Sequence, residues 1–146
     1  MALRLSTGLR NKMLGTSSVR TIFTLCKIAI YSGAQPADAD SAATGTLLAT
    51  ISLAGGATGL SWDAPAAGVL SKAVAEAWQG TAVASGTAGW FRLYEATDDP
   101  AAAETVLARF DGSISTSGAQ LNMSSTAIVA AAIQTLSSFT YTQPAS

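Results

Sequence analysis

Apolar runs in this sequence are short, and glycine, proline or aspartate interrupts them at intervals of roughly 8–15 residues. Between the breaks the runs favour β-branched and aromatic residues, the types that fit a pleated surface. A chain punctuated in this way cannot build long helices or a parallel strand–helix–strand series. It can build many short strands joined by turns. Gly89 to Glu95, Gly-Trp-Phe-Arg-Leu-Tyr-Glu, is the clearest strand, with Trp90, Arg92 and Tyr94 on one face and Phe91 and Leu93 on the other. Further strands are expected over 19–31, 45–53, 69–78 and 105–110, the last ended by Asp111-Gly112. Short ones are expected at Ile114 and over 121–123. Two more, over 128–133 and 136–141, are expected to join near Gln134. Residues 69–78 fit a helix stripe or a strand face; the glycines that follow favour a strand leading into a hairpin. About eight or nine strands of this kind define an all-β, antiparallel sandwich or barrel.

Only the N-terminus reads as helical. Ser6 or Thr7 can cap a helix over 6–15, Leu5, Leu9 and Met13 recur at a spacing of four, and Gly15 is a stop. The expected organisation is an N-terminal basic arm or short helix over 1–18 and one β-sandwich domain over 19–146.

Composition removes several classes of chemistry. The chain has 146 residues, no histidine and one cysteine, Cys26. That excludes imidazole catalysis, histidine metal sites, an internal disulfide and cysteine-cluster zinc. Ala, Gly, Ser and Thr supply 77 of the residues, and only 12% are charged. No apolar run reaches the ~18 residues of a spanning helix. Arg4, Arg10 and Lys12 interrupt any signal-peptide core, so a non-secreted protein without membrane contact is expected.

The few charges are sorted by position. Residues 1–27 hold Arg4, Arg10, Lys12, Arg20 and Lys27 and no acid; residues 28–146 hold three basic and nine acidic residues, a net of −6. A basic leader on an acidic body is an interaction pattern. It reads as a solvated helix, or as an arm that docks on an acidic surface of another copy or another protein. Nucleic acid is disfavoured, because five cations neutralise few phosphates and no aromatic residue interleaves with them before Phe23.

Other candidate chemistry is thin. Glu95, Asp98, Asp99 and Glu104 gather oxygen ligands near one turn, but without EF-hand spacing they read as a solvated acidic turn. Ser71-Lys72 lacks the Ser-x-x-Lys spacing, and Gly55-Gly56-x-x-Gly59 lacks the lysine of a phosphate loop. No enzyme, cofactor or metal is expected. Cys26 reads as a small buried hydrophobe. Trp78 and Trp90 are expected in the core. Trp62, in a loop beside Asp63 and Pro65, is the tryptophan expected to be exposed, as an interface anchor or part of a sugar platform.

Several segments occur in a telling order. They are Leu3-Arg4-Leu5-Ser6-Thr7-Gly8-Leu9-Arg10-Asn11-Lys12-Met13-Leu14, Ile28 to Gly33, Ala43 to Ala49, Gly86 to Tyr94, Asp111-Gly112-Ser113, Ser117 to Asn122 and Ser138 to Thr142. Together they resemble small proteins encoded among the head genes of tailed bacteriophages, in particular the cement proteins that decorate the head. The resemblance spans nearly the whole chain, rests on the set rather than on one motif, and departs at Gly15-Thr16-Ser17-Ser18, where relatives run a longer helix. It implies a jelly-roll body and a non-enzymatic role stabilising the capsid. It also implies a place on the outer surface of the head, the major capsid protein as partner, and a homo-oligomer, dimer or trimer. Leu3, Arg4, Leu5, Leu9, Arg10, Lys12, Arg20 and Trp62 are the candidate capsid or self interface. A tail or head–tail joining component, or a carbohydrate-binding β-sandwich module, are the alternatives.

Overall fold

The computed structural model describes residues 3–15 and 17–143 and is all-β and antiparallel in character. Among these residues lie eleven strands: β1 Arg4–Leu5, β2 Lys27–Ser32, β3 Leu47–Leu53, β4 Val69–Ser71, β5 Trp78–Thr81, β6 Gly86–Tyr94, β7 Arg109–Ser115, β8 Leu121–Asn122, β9 Ala127–Ile128, β10 Ile133–Leu136 and β11 Thr140–Thr142. Two helices, α1 Thr7–Gly15 and α2 Val19–Ile22, join the first strands. The main sheet runs β1-β7-β6-β2-β3-β5-β10, with β8 on β7 and β9 on β6; β4 and β11 form a separate two-stranded sheet. All pairs are antiparallel except β7–β8.

The small sheet closes over one face of the large one, which makes the body sandwich-like. Phe110 of β7 meets Tyr141 of β11 at 5.6 Å between ring centroids and stacks on Phe139 at 6.1 Å. Phe91, Phe23, Trp62 and Trp78 extend this aromatic cluster through edge-on and tilted contacts. Leu9, Ile28, Ile30, Leu48, Ile51, Leu93 and Leu136 fill the space around it. Aromatic burial on this scale is the main stabilising term for a body otherwise made of small residues.

The opposite face of β2 and β6 is covered as well. Loops 33–45 and 95–108 lie over it, tied together by Ala43 N–H to Ala101 C=O (3.0 Å) and Glu104 N–H to Asp40 C=O (2.9 Å). Ala29, Tyr31, Trp90 and Tyr94 form a second, smaller core there, with Tyr31 stacked on Trp90 at 4.5 Å. The sides of Gly89–Glu95 match the sequence pattern: Phe91 and Leu93 enter the main core, Trp90 and Tyr94 the smaller one.

Several expectations change. The strand expected over 69–78 is split into β4 and β5, with a turn at 74–75 between them. Residues 19–22 are a helical turn rather than strand, because the Ser18 hydroxyl accepts from Thr21 N–H and caps them. The strand expected over 45–53 is β3, which begins at Leu47 and is buried at Leu48, Ala49, Ile51 and Ser52. Asp111-Gly112 lies inside β7 instead of ending a strand. Asp111 is paired there, and Gly112 leaves room for the Phe91 ring, which a Cβ would meet at 2.7 Å. Gln134 is not a connection but sits within β10, hydrogen-bonded in register with Gly80.

Candidate interaction surfaces

The basic N-terminal segment folds onto its own chain. Strand β1 adds to the β7 edge, Arg4 opposite Asp111 and Leu5 opposite Phe110. Ser6 then turns the chain: its N–H donates to Arg109 C=O (3.0 Å), and its hydroxyl accepts from the N–H groups of Leu9 (3.1 Å) and Arg109 (2.9 Å). One hydroxyl thereby caps α1 and fastens it to β7. The Asp40 carboxylate accepts from Thr7 N–H (2.8 Å) and Thr7 Oγ1 (2.6 Å), placing negative charge at the helix N-terminus, where the dipole favours it. Gly8 sits against the Val106 and Leu107 carbonyls, which an added Cβ would meet at 2.4 Å. That close seat keeps 105–108 out of β7, so the expected strand over 105–110 starts only at Arg109.

The eight residues singled out from the sequence therefore divide. Leu9 is fully buried, and Leu3 and Leu5 are half-buried against the main core. Arg4 donates to the Ala37 carbonyl, Lys12 pairs with Glu95, and Arg20 donates from Nε and Nη2 to the Trp62 carbonyl at 3.3 and 3.2 Å. Arg10 and Arg20 remain exposed, as does the apolar side chain of Leu14, one helical turn beyond Arg10. Trp62 is corrected outright: it is 4% exposed, packs edge-on to Trp78 and donates its indole N–H to the Phe23 carbonyl at 3.2 Å. With Trp78 and Trp90 fully buried too, the three tryptophans offer no exposed sugar platform.

Beneath loop 95–108 lies a charged cluster. Arg92 and Asp111, both without solvent exposure, form two parallel hydrogen bonds of 2.8 Å, and Arg92 also donates to the Pro100 carbonyl. Its guanidinium lies 5.3 Å over the Trp90 ring. Arg109 makes a second two-pronged pair with Asp98 at 2.6 and 2.7 Å and donates to the Asp99 and Ala102 carbonyls. Burial pushes the Asp111 carboxyl up from its ordinary range, against the pull of Arg92. Burial opposes the Arg109 cation, but the Asp98 carboxylate outweighs it and holds the pKa above its usual value. The acidic turn is thus consumed within the protein: Asp98 by Arg109, Glu95 by Lys12 and the Ala108 N–H, Glu104 by the Val106 and Leu107 N–H groups. Among the described residues no group of three or more acids and cysteines is placed to hold a metal, and no helix is long and apolar enough to cross a membrane. Cys26 is fully buried, and burial pushes its thiol far up.

Two features escaped the sequence reading. One is a groove of about 340 Å³ between α2 and the small sheet, lined by Val19, Arg20, Pro65, Val69, Tyr141 and Gln143 among others. The other is the far edge of the main sheet, where Val83, Val129 and Ile133 stand 67%, 63% and 63% exposed. The signal for it was present: residues 77–91 and 112–146 contain no charged side chain.

Comparison with protein-family models, with curated proteins and with solved structures finds nothing that matches this chain. What the fold and surfaces define is an all-β, sandwich-like body with a basic segment folded along one sheet edge and a neutral strand at the other.

Proposed function

We propose that this protein is a non-enzymatic structural component of a tailed-bacteriophage head, made in the host cytoplasm and carried on the outer surface of the shell. There it binds the major capsid protein lattice as repeated copies and stabilises it. The observation that carries the reading is where the resembling segments fall. They are β1 with α1, β2, the start of β3, all of β6, the middle of β7, β8 with the loop before it, and β11. The likeness thus follows the framework of the body, from one sheet edge across the sheet to the small sheet. The reading takes that body to be wound as a jelly roll.

The exposed part of the N-terminal segment supplies the capsid contact in this reading. Arg10, Asn11 and Leu14 of α1 face solvent, with Arg20 of α2 exposed as well. A lattice contact of this kind is modest per copy and gains strength from repetition. Co-sedimentation with heads assembled without the protein tests it. Saturable binding at a fixed ratio to capsid subunits, weakened by salt and by Arg10→Glu with Leu14→Asp, is expected. Absence of binding to heads, or binding to tails or glycans instead, contradicts it. Truncating residues 1–15 is a poor test, because it removes Leu9 from the core along with the contact.

A further inference from the structure

Strand β10 ends the main sheet, and its outer side pairs with no strand among the described residues. The register fixes which groups face outward. Ala82 N–H donates to Ala132 C=O and Ala131 N–H to Ala82 C=O, both at 2.8 Å, so even-numbered positions of β5 bond toward β10. Ala54 N–H donates to Ala77 C=O at 2.7 Å, so odd-numbered positions bond toward β3. With Gln134 opposite Gly80 and Leu136 opposite Trp78, the backbone N–H and C=O of Ile133 and Thr135 point away from the sheet.

Sheet edges in monomeric proteins are normally protected by lysine, proline, a bulge or a covering element. The β1 edge is so protected: it is two residues long, carries Arg4 and is capped by α1. The β10 edge has no lysine and no proline, no described element covers it, and its one bulge, at Ala131 and Ala132 opposite Ala82, lies at the turn before the strand rather than within it. Its sequence is Ile-Gln-Thr-Leu, and beside it the exposed Val129-Ala130-Ala131-Ala132 turn adjoins exposed Val83. No charge occurs in β3, β5 or β10.

We propose that β10 is the edge through which a second copy of this chain docks, antiparallel across a two-fold axis at Gln134, continuing the sheet from one copy into the next. Pairing is then self-complementary. Ile133 lies opposite Thr135 of the second copy and the reverse, and each of the two positions exchanges both of its outward hydrogen bonds. Charge selects the occupant. A charged strand would bury its charges against a surface with no counter-charge, whereas an identical edge brings none. Ile133 of one copy then lies diagonally beside Ile133 of the other, and the two shield each other from water. The inference rests on the reading above only in taking the protein to act as repeated copies; head binding and self-association are separate measurements.

The test is sedimentation equilibrium of the full chain at ~100 μM, a concentration that reveals dissociation constants into the micromolar range. The expected species is twice the 14.7 kDa chain mass. Ile133→Lys is expected to raise the dissociation constant at least tenfold. Thr135→Pro, which removes only an outward N–H, is expected to do the same while thermal melts remain cooperative. Hydrogen exchange on the unmodified protein gives an independent reading: amides 133 and 135 gain protection as concentration rises. A monomer, a trimer, a dimer indifferent to both substitutions, or no concentration-dependent protection overturns the proposal. A monomer that still binds heads refutes this inference alone, and a dimer that ignores heads refutes only the capsid reading.

Discussion

The two edges of the main sheet solve the same problem in opposite ways. At the β1–β7 edge the exposed backbone is closed by the chain's own N-terminus, and the polar groups there are charged and paired: Arg92 with Asp111, Arg109 with Asp98, Lys12 with Glu95. At the β5–β10 edge charge is absent and the outermost backbone groups are left open. The first edge is locked by interactions that need both partners. The second is held by packing and by backbone hydrogen bonds to β5, without charge, and its outer side pairs with no described strand. Buried charge closes the first edge, and the second carries no charge at all.

The largest expected effect falls on the locked edge. Asp111→Ala strands the Arg92 cation with no exposure to water, and the expected loss is about 3–5 kcal/mol, read as a lowered denaturation midpoint at unchanged slope. Replacing both residues with apolar ones of similar volume should recover most of it, because the cost lies in the unpaired charge. A small loss for the single substitution would break the claim that this edge is locked by charge. Leu9→Ala tests the packing beneath α1 and is expected to cost about 2–4 kcal/mol. Because Leu9 anchors the segment, proteolysis near Arg10 and Lys12 should quicken in that variant.

Glu76 sharpens the boundary between the two regions, being the last charged residue before β5. Burial pushes its carboxyl up. Hydrogen bonds from Ser61 and from the Trp78 indole, with the Lys72 charge, outweigh that and hold it below its usual value. A depressed folded pKa means that its contribution is full above the unfolded value of about 4.3 and is lost as pH falls through the folded one. Glu76→Gln should flatten stability against pH below about 4 by no more than about 1 kcal/mol, given the partial solvent access of the carboxylate. Lys12→Ala, at a pair only partly open to solvent, should cost about 1 kcal/mol or less, and less still at high salt. Smallest of all, Ile133→Lys should change monomer stability by within about 0.5 kcal/mol while acting on association.

Much of the fold was legible because β6 and the helix over 7–15 carry local patterns that tertiary contacts reinforce. Local pattern offers Ser6 or Thr7 as the cap, and the structure takes Ser6, whose bond to Arg109 is out of reach of any local reading. Where the sequence misled, a distant partner decided the outcome. Asp111-Gly112 resembles a turn until Arg92 and the Phe91 ring are placed beside it. Trp62 resembles an exposed loop residue until Trp78 and Phe139 enclose it. The basic segment reads locally as a solvated helix or as an arm for an outside acidic surface, whereas Asp40 and Glu95 of the same chain meet part of it. The neutral edge was written in the sequence as two charge-free stretches, yet only the register shows that they lie side by side.

Sedimentation of the unmodified protein at low and high salt, ~0.05 and ~1 M, tests the contrast between the edges most directly. A dimer whose dissociation constant is nearly unchanged between the two is predicted, since no charge lies along the β10 strand. A monomer at both would contradict the account, and so would a dimer that falls apart in salt, which would place association on the charged face.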